Sequence, residues 1–449
     1  MWGLDTDSGA VDVARDSVCR WLVEQGGDRA EAEQITRRQV TAGDGLLGDW
    51  PGAPFDLVIG NPPFQSQLRT LTARDPTVRE RVRELFGTAA VGYVDTAALF
   101  LLSALRHVAP RGAVCLIQPR STASAAHAAE VRRRIADVGV VAMWWPDRRV
   151  FAAEVDVWAP VVAAPGGGTP DAGGTALAER LRSPDGWADV VAERRGVPAL
   201  DLTAGAVVGD VATVTAGFRD EFYGLIPYVS EAPATSMLPS SMLPSGAIGR
   251  LITVGAIEPL AVTWADHPVR FAGRRWQRPV VDAAALADPT IGGWMRAQLR
   301  PKVLVATQTR WIEAVADPSG ELIGVTPAIS VVPEPGTPGA VSAEHLAVAL
   351  GSPVVTLVAH RRHGGTALVA DAVRLSAAAV RTLPLPVDRA AWDRAVERSR
   401  RPAIDRRELG GMLCAAYAVD PEPVLAWWLG LARVPSGPLS PATGGPKPV

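Results

Sequence analysis

Asp56-Leu57-Val58-Ile59-Gly60-Asn61-Pro62-Pro63-Phe64 is the stretch of sequence that decides the fold. Its nearly continuous apolar run predicts a β-strand over 55–59 with both faces buried, as in a parallel sheet covered by helices. The two prolines that follow have a fixed φ and no N–H, so they hold the backbone in an extended turn. The stretch therefore predicts an asparagine and an aromatic ring presented at the carboxyl end of a buried strand.

Strand-like and helix-like patterns alternate on both sides of this strand. Because helices separate the strands, the pattern favours a mostly parallel, doubly wound α/β sheet. Ligands bind such sheets at the carboxyl ends of the strands, so Asp5, Asp44 and Asn61 are predicted to lie along one edge. The predicted strands are 2–4, 39–42, 55–59, 113–117, 140–144 and 155–162, the last two forming an antiparallel edge hairpin, and the predicted helices are 9–24, 97–108 and 123–138.

Asn61 and Pro62 suit one demanding reaction, the methylation of an exocyclic amine. Such an amine is a poor nucleophile because its lone pair is delocalised into the aromatic ring. The side-chain oxygen of Asn61 and the carbonyl of Pro62 could accept both amine hydrogens and stabilise the charge that develops during attack. Phe64 could stack on a base that has been extruded from the duplex, where the target atom becomes accessible.

These motifs resemble those of the gamma-class N6-adenine DNA methyltransferases of restriction–modification systems. The resemblance implies a class I, Rossmann-like methyltransferase domain that uses S-adenosylmethionine, with Asp5 on its ribose hydroxyls and Asp44 on its adenine amine. Asp95 would line the cofactor pocket, and Phe151 would help to sandwich the flipped base. The predicted site is therefore Asn61, Pro62, Pro63 and Phe64 for catalysis, Asp5, Gly43, Asp44 and Asp95 for the cofactor, and no metal ligands.

One family motif is absent from the residues printed. The resemblance implies a glycine-rich loop some twenty residues before the acidic position occupied by Asp5, and only four residues precede Asp5. We therefore expect a domain that lacks its first strand and loop. Two alternatives to a DNA adenine methyltransferase stay open: a DNA-binding or specificity protein that keeps a decayed methyltransferase half, and a glutamine methyltransferase acting on release factors.

The C-terminal half predicts a different kind of domain. Residues 201–387 have short strand-like pieces and many turns without a βαβ rhythm, which indicates a mixed, β-rich domain. In the family that the sequence resembles, a domain at this position recognises the DNA target. The predicted division is a catalytic domain at 1–164, a linker at 165–200, a target-recognition domain at 201–387, a helical segment at 388–434 and a disordered tail at 435–449.

Basic residues in the predicted recognition domain suggest a surface that faces double-stranded DNA. Eight of them lie between Arg270 and Arg310, against two acidic residues, and tryptophans are interleaved with them. Such side chains would hold phosphates and position the duplex. Arg274, Arg275, Lys302 and Arg310 are the contacts predicted, with Phe151 on the substrate base.

Overall composition narrows the class of protein. The 449 residues are 48% hydrophobic and 20% charged, with a net charge of −2, which excludes a uniformly basic nucleic-acid coat. Three widely spaced cysteines cannot form a disulfide framework, and no signal peptide or membrane span is predicted. We expect a cytoplasmic protein whose partners are DNA and a restriction nuclease or another defence component.

Overall fold

The computed structural model describes residues 1–64, 76–92, 94–146, 151, 156–163, 177, 179–183, 186–203, 205–217, 219–233, 243–336, 339–367, 372–401 and 405–431. Their contacts divide the chain into two compact units, with the boundary between Val191 and Ala192. This boundary falls within the segment predicted as a linker, 165–200. The predicted tail at 435–449 lies outside the described residues.

The first unit alternates strands and helices, as the periodicity predicts. Its strands are β1 (Gly3–Asp5), β2 (Val40–Ala42), β3 (Phe55–Gly60), β4 (Val108–Leu116), β5 (Gln118–Pro119), β6 (Val140–Trp144) and β7 (Val157–Ala163). Its helices are α1 (Ser8–Glu24), α2 (Arg29–Gln39), α3 (Pro76–Phe86), α4 (Thr96–Leu105), α5 (Ser121–Ser124), α6 (Ala129–Val138) and α7 (Gly186–Arg194), the last of which crosses the boundary.

The strands of the first unit form two separate sheets. β3 and β4 pair in parallel, β4 and β5 pair antiparallel with β7, and β6 forms the predicted antiparallel hairpin with β7. β1 and β2 pair in parallel with each other and make a two-stranded sheet of their own. The single doubly wound sheet that the sequence predicts is thus divided between β1–β2 and the sheet that contains β3.

Within the part of the chain that the structure describes, β3 is covered on one face only, whereas both faces were predicted to be covered. Val58 is 7% exposed, whereas Leu57 and Ile59 on the opposite face are 58% and 69% exposed. Among the described residues, β4 is the only strand that pairs with β3. Exposed apolar residues on such a strand are uncommon in parallel sheets, which helices normally cover on both sides.

The core of the first unit lies between the β3–β7 sheet and α3, α4, α6 and α7. Trp187 of α7 is fully buried and meets the ring of Trp158 on β7 edge to face, with centroids 5.6 Å apart. Its indole N–H donates to the carbonyl of Leu181. α7 lies within the predicted linker at 165–200, and the burial of this tryptophan packs the start of the helix against the first unit.

The second unit is rich in short strands, as predicted. Its strands are β8 (Ala212–Ala216), β9 (Val229–Glu231), β10 (Ala247–Ile252), β11 (Ile257–Glu258), β12 (Ala261–Val262), β13 (Val269–Phe271), β14 (Arg274–Trp276), β15 (Pro279–Asp282), β16 (Lys302–Val305), β17 (Gln308–Thr309), β18 (Ala314–Asp317), β19 (Leu322–Gly324), β20 (Ile329–Pro333) and β21 (Val373–Arg374). Two four-stranded sheets have the orders β19-β10-β15-β9 and β18-β16-β20-β8.

The helices of the second unit pack on the sheet that contains β16. They are α8 (Val208–Val211), α9 (Arg219–Leu225), α10 (Gly292–Gln298), α11 (Ala343–Leu350), α12 (Pro353–His363), α13 (Ala377–Arg381), α14 (Arg389–Ser399), α15 (Arg406–Ala416) and α16 (Pro421–Leu431). α14 to α16 share one hydrophobic core with β16, β20, α11 and α12, so the helical segment predicted at 388–434 is part of this unit. No helix described is alone long and apolar enough to cross a membrane, although α11 and α12, bent by 60°, reach that length together.

Candidate active site

Asn61 lies directly after β3, at the carboxyl end of the parallel β3–β4 pair. The Gly60 carbonyl accepts a hydrogen bond from the amide of Ile117, which extends the β3–β4 ladder to the last residue of the strand. Asn61 is exposed, Pro62 is buried and Pro63 is exposed. The buried first proline anchors the turn, while the asparagine side chain stays accessible from solvent.

Phe64 and Phe151 lie against each other beside this turn. Their ring centroids are 6.4 Å apart, and the ring planes meet at 83°, an edge-to-face contact. Both rings are half-buried. The structure thus brings together two aromatic residues that are 87 positions apart in the sequence and that the sequence analysis selected separately.

Asp5 and the Gly43-Asp44 pair lie together at the carboxyl end of the β1–β2 sheet. Asp5 is aligned with Ala42 across the parallel pair, and its carbonyl accepts from the Gly43 amide at 2.9 Å. A Cβ on residue 43 would lie 2.2 Å from Cδ2 of Leu4, the flexible end of that side chain, which would have to shift.

Asp44 begins a turn that is fastened to α4. The Asp44 carboxylate accepts from the amides of Leu46 and Leu47 at 2.8 and 3.1 Å. Ser103 of α4 donates to the carbonyls of Gly45 and Leu46, each at 3.2 Å. These bonds leave the exposed Asp44 carboxylate at the surface while its backbone is fixed.

A pair of stacked rings closes the same turn. The Trp50 indole N–H donates to the Gly45 carbonyl at 2.9 Å, and its ring stacks on that of His107 at a centroid distance of 4.6 Å. His107 is buried, and its Nδ1 lies 2.9 Å from the Ser103 carbonyl. The turn after β2 and the helix before β4 are therefore held together.

Asp95 stabilises the start of helix α4. It is the N-cap residue of α4, and its carboxylate accepts from the Ala97 amide at 2.9 Å. α4 is almost entirely buried, so the cap fixes the start of a helix at the centre of the first unit. A cofactor contact by Asp95 stays a prediction.

The predicted site residues lie in two groups. Asp5 and Asp44 lie at the carboxyl ends of the paired strands β1 and β2, whereas Asn61 and Phe64 follow β3 and the Phe64 ring contacts that of Phe151. The two groups belong to different sheets, and no described strand pairing joins them.

Buried polar residues near the β3–β4 ends were missed in the sequence analysis. Gln118 of β5 is fully buried and donates to the carbonyls of Ala97 and Ile117, each at 3.0 Å. Arg120 is 5% exposed and lies 3.6 Å from the Asp156 carboxylate. The sequence contained a signal for these residues. Gln118-Pro119-Arg120 comes shortly after the buried strand β4, much as Asn61-Pro62-Pro63 follows β3.

The basic residues predicted to contact DNA differ in exposure, since two are exposed on one hairpin and Lys302 is buried. Arg274 and Arg275 are exposed on the β13–β14 hairpin, where Arg270 pairs with Arg275, and the turn has positive φ at Ala272 and Gly273. The Arg274 guanidinium lies 4.6 Å from the ring centroid of Trp276. This hairpin presents three arginines to solvent.

Lys302 does not share that surface. Lys302 is fully buried, its ammonium is 2.5 Å from the Asp317 carboxylate, and it also donates to the Gln298 carbonyl. Burial lowers the pKa of Lys302, and Asp317 opposes this shift. The prediction of a phosphate contact is therefore wrong for Lys302, because its charge is already paired inside the sheet. Arg310 is half-buried.

Comparison with known proteins agrees with the N-terminal motifs. Residues 1–138 match the family model of the Eco57I restriction-modification methylase. This match confirms the resemblance to restriction–modification methyltransferases for the segment that holds Asp5, Asp44 and Asn61. No curated protein matches the chain.

Two solved structures are similar to the chain at low identity. One is the type IIG restriction endonuclease BpuSI, with 14% identity and a TM-score of 0.32 over 87% of this chain and 55% of that chain. The other is a putative class I S-adenosylmethionine-dependent methyltransferase from Listeria monocytogenes, with 16% identity and a TM-score of 0.27 over 40% of this chain and 64% of that chain. The chain thus spans between about half and two thirds of their lengths.

The described residues of the methylase segment fit the cofactor such a family uses. Asp5 and Asp44 are exposed carboxylates at the ends of adjacent strands. Their recorded hydrogen bonds, from the amides of Asp7, Leu46 and Leu47, involve only Oδ1 of each. Ribose hydroxyls and an adenine amine are donors that such acceptors suit.

Proposed function

We propose that this chain is a DNA methyltransferase that uses S-adenosylmethionine and modifies N6 of an adenine flipped out of duplex DNA. The observation that carries the proposal is the exposed Asn61 at the tip of β3, with Phe64 and Phe151 in contact beside it. The methylase match over 1–138 supports the reaction class. The identities of the substrate as adenine in DNA and of the methyl donor as S-adenosylmethionine are the parts that we propose.

Asn61 and Pro62 would bind the amine that is methylated. Two acceptor oxygens on the same turn can take both hydrogens of an exocyclic amine, which directs its lone pair away from the ring system. Acceptors fixed in advance at the point where positive charge develops stabilise the transition state without reorganisation. The buried Pro62 ring would supply that fixed geometry.

Phe64 and Phe151 would hold the flipped base. The two rings now contact each other edge to face, so a base cannot lie stacked between them in this arrangement. Base entry therefore requires at least one ring to turn, and the stacking that replaces the ring contact would compensate for it.

Asp5 and Asp44 would hold the cofactor by its ribose hydroxyls and its adenine amine. The cofactor would supply an activated methyl group bound to a sulfonium. The bonds from Ser103 and Trp50 to the turn after Asp44 would keep that carboxylate at a fixed distance from α4.

Substitution of Asn61 tests the proposal. We expect Asn61→Ala to lower the rate of methyl transfer to an adenine-containing duplex by about 10²- to 10³-fold, because one transition-state acceptor is lost. Affinity for S-adenosylmethionine, measured by calorimetry, should change little. Gln308→Ala, an exposed amide in the second unit, is the matched control. Equal rates for wild type and Asn61→Ala would reject the proposal.

A DNA-binding protein without transferase activity is the second candidate. The observation that favours it is the separation of β1–β2 from the β3 sheet, since Asp5 and Asp44 are not hydrogen-bonded into the sheet that bears Asn61. Calorimetric titration of the chain with S-adenosylmethionine distinguishes the two functions. Duplex binding without cofactor binding would establish the second candidate, and the partner nuclease would then be sought by co-purification.

The DNA surface is proposed to include the β13–β14 hairpin. We expect Arg275→Gln to lower the slope of log affinity against log salt by about one, because each phosphate contact releases about one counterion. Lys302→Met should leave that slope unchanged and instead lower the unfolding temperature, since it strands the buried Asp317 carboxylate. A reduced slope for Lys302→Met with an unchanged slope for Arg275→Gln would contradict this assignment.

A further inference from the structure

The second unit contains a small cavity that the proposed methyl transfer does not use. Its volume is about 230 Å³. Leu413 of α15 and Pro353 of α12 line it with buried apolar side chains, and Trp311 and Trp428 line it with half-buried rings. We call this cavity the Arg406 groove, after the exposed arginine that also lines it.

The size of the groove limits the ligand that it can hold. An apolar cavity of about 150 Å³ binds benzene, whereas pockets for drug-sized ligands have volumes of about 300–1,000 Å³. A groove of about 230 Å³ lies between these limits. It therefore suits a ligand of one or two rings and is too small for a molecule of the size of S-adenosylmethionine.

One side of the groove is a turn of fixed conformation, the tip of the β11–β12 hairpin. Leu260 at this tip lines the groove and has a φ of 62°, in the left-handed region that residues other than glycine adopt rarely. The carbonyl of Ala314 accepts from the Leu260 amide at 2.9 Å and holds the turn in place. This side of the groove is thus formed in advance, which lowers the cost of ordering it around a ligand.

Arg406 is the only charged side chain among the described residues that line the groove. Its guanidinium lies over the ring of Trp311, 5.3 Å from the centroid. Arginine on an aromatic face keeps its N–H donors free in the guanidinium plane, where they match the two oxygens of a carboxylate. The groove therefore combines an apolar, aromatic interior with a cation at its surface.

No carboxylate in the described part of the chain forms an ion pair with Arg406. Burial raises the pKa of Glu313 to about 8, with a contribution from the nearby Glu258, and Arg406 only partly opposes the shift. Glu313 is thus mostly neutral at pH 7. The Asp405 carboxylate caps α15 and accepts from the Arg407 amide at 2.8 Å. The position beside the Arg406 guanidinium therefore suits an anion from outside the chain.

We propose that the Arg406 groove binds a small aromatic carboxylate. The carboxylate accepts from the Arg406 guanidinium, and the ring packs among Leu413, Pro353 and Trp428. A flat ring fits the aromatic lining and the volume, and its single negative charge complements the single cation. The site lies in the second unit and is independent of methyl transfer.

Calorimetric titration of the full-length chain with 2-naphthoate, a two-ring carboxylate, tests the proposal. We expect Arg406→Gln to weaken its binding at least about tenfold, because hydrogen bonds between two charged groups are lost. Arg407→Gln is the matched control, since Arg407 is exposed on the same turn and does not line the groove. Its affinity should stay within about twofold of wild type, because exposed charges are screened by salt.

A neutral probe and a filled groove separate the charge from the cavity. 2-Naphthalenemethanol keeps both rings and lacks the carboxylate, so we expect it to bind wild type at least about tenfold more weakly than 2-naphthoate does. Its affinity should be the same in Arg406→Gln. Ala261→Phe places a ring in the groove from an exposed position and should weaken the binding of both probes. Circular dichroism confirms that each variant is folded.

Three results would overturn the proposal. The first is equal affinity of 2-naphthoate for wild type and Arg406→Gln, including no binding to either. The second is full affinity in folded Ala261→Phe, since the probe would then bind elsewhere on the chain. The third is tighter binding of adenosine monophosphate than of 2-naphthoate, lost in Arg406→Gln, which would assign the groove to a nucleotide.

Discussion

Asn61 is the only asparagine among the 449 residues. It stands directly after β3 and is followed by Pro62 and Pro63.

Glu313 carries a pH effect on stability. Burial raises its pKa to about 8, the nearby Glu258 adds to the shift, and Arg406 opposes it. Because the folded pKa lies above the unfolded value, the folded state retains the proton between about pH 4.5 and 8. Unfolding releases it, so stability falls as the pH rises through this window.

We expect Glu313→Gln to remove this dependence. The neutral amide imitates the protonated acid, so the variant should unfold at a higher temperature than wild type at pH 8.5 and at a similar temperature at pH 4.5. Thermal melts followed by circular dichroism at four pH values would measure the difference. Parallel melting curves for the two proteins across this range would contradict it.

Asp95 allows a prediction at the scale of one helix. As the N-cap of α4, its replacement by alanine should lower the free energy of unfolding by about 1 kcal/mol, whereas asparagine should preserve most of the cap. Urea denaturation measures this order. Equal losses in the two variants would show that the charge, and not the cap, determines the contribution.

The elements were predictable where apolar periodicity was strong. α1, β3, β6 and β7 were expected within about two residues of their observed bounds, because their apolar residues follow the helical or strand period. α2 was missed because its sequence, Arg-Ala-Glu-Ala-Glu-Gln-Ile-Thr-Arg-Arg-Gln, has few apolar residues to reveal a period.

The site was predictable where it is local in sequence. The Asn61 turn and the Asp44 turn each follow a strand within one short segment. By contrast, the partner of Lys302 lies fifteen residues away on β18, and the contact between Phe64 and Phe151 joins distant segments. Pairings set by tertiary contacts carry no signal in the local pattern, so the buried lysine was mistaken for a surface contact.

At the scale of the whole molecule, the uncovered face of β3 has a measurable effect. We expect Leu57→Thr/Ile59→Thr to reduce hydrophobic-dye binding and concentration-dependent self-association, because two large apolar side chains leave the surface. Threonine keeps the strand propensity, so the unfolding free energy should change little. Val58→Thr is the control, since this buried side chain should cost stability without lowering dye binding. Undiminished dye fluorescence in the double variant would locate the apolar surface elsewhere.

Among the described strands β3 pairs with β4 alone, and this has a consequence for its peptide groups. In a strand hydrogen-bonded on one side only, about every second amide points toward the ladder and the others point toward solvent. Deuterium uptake along β3 should therefore alternate between slow and fast positions, whereas the middle of β4, flanked by β3 and β7, should be uniformly slow. Such an alternating pattern would be the exchange signature of a strand that is hydrogen-bonded along one edge.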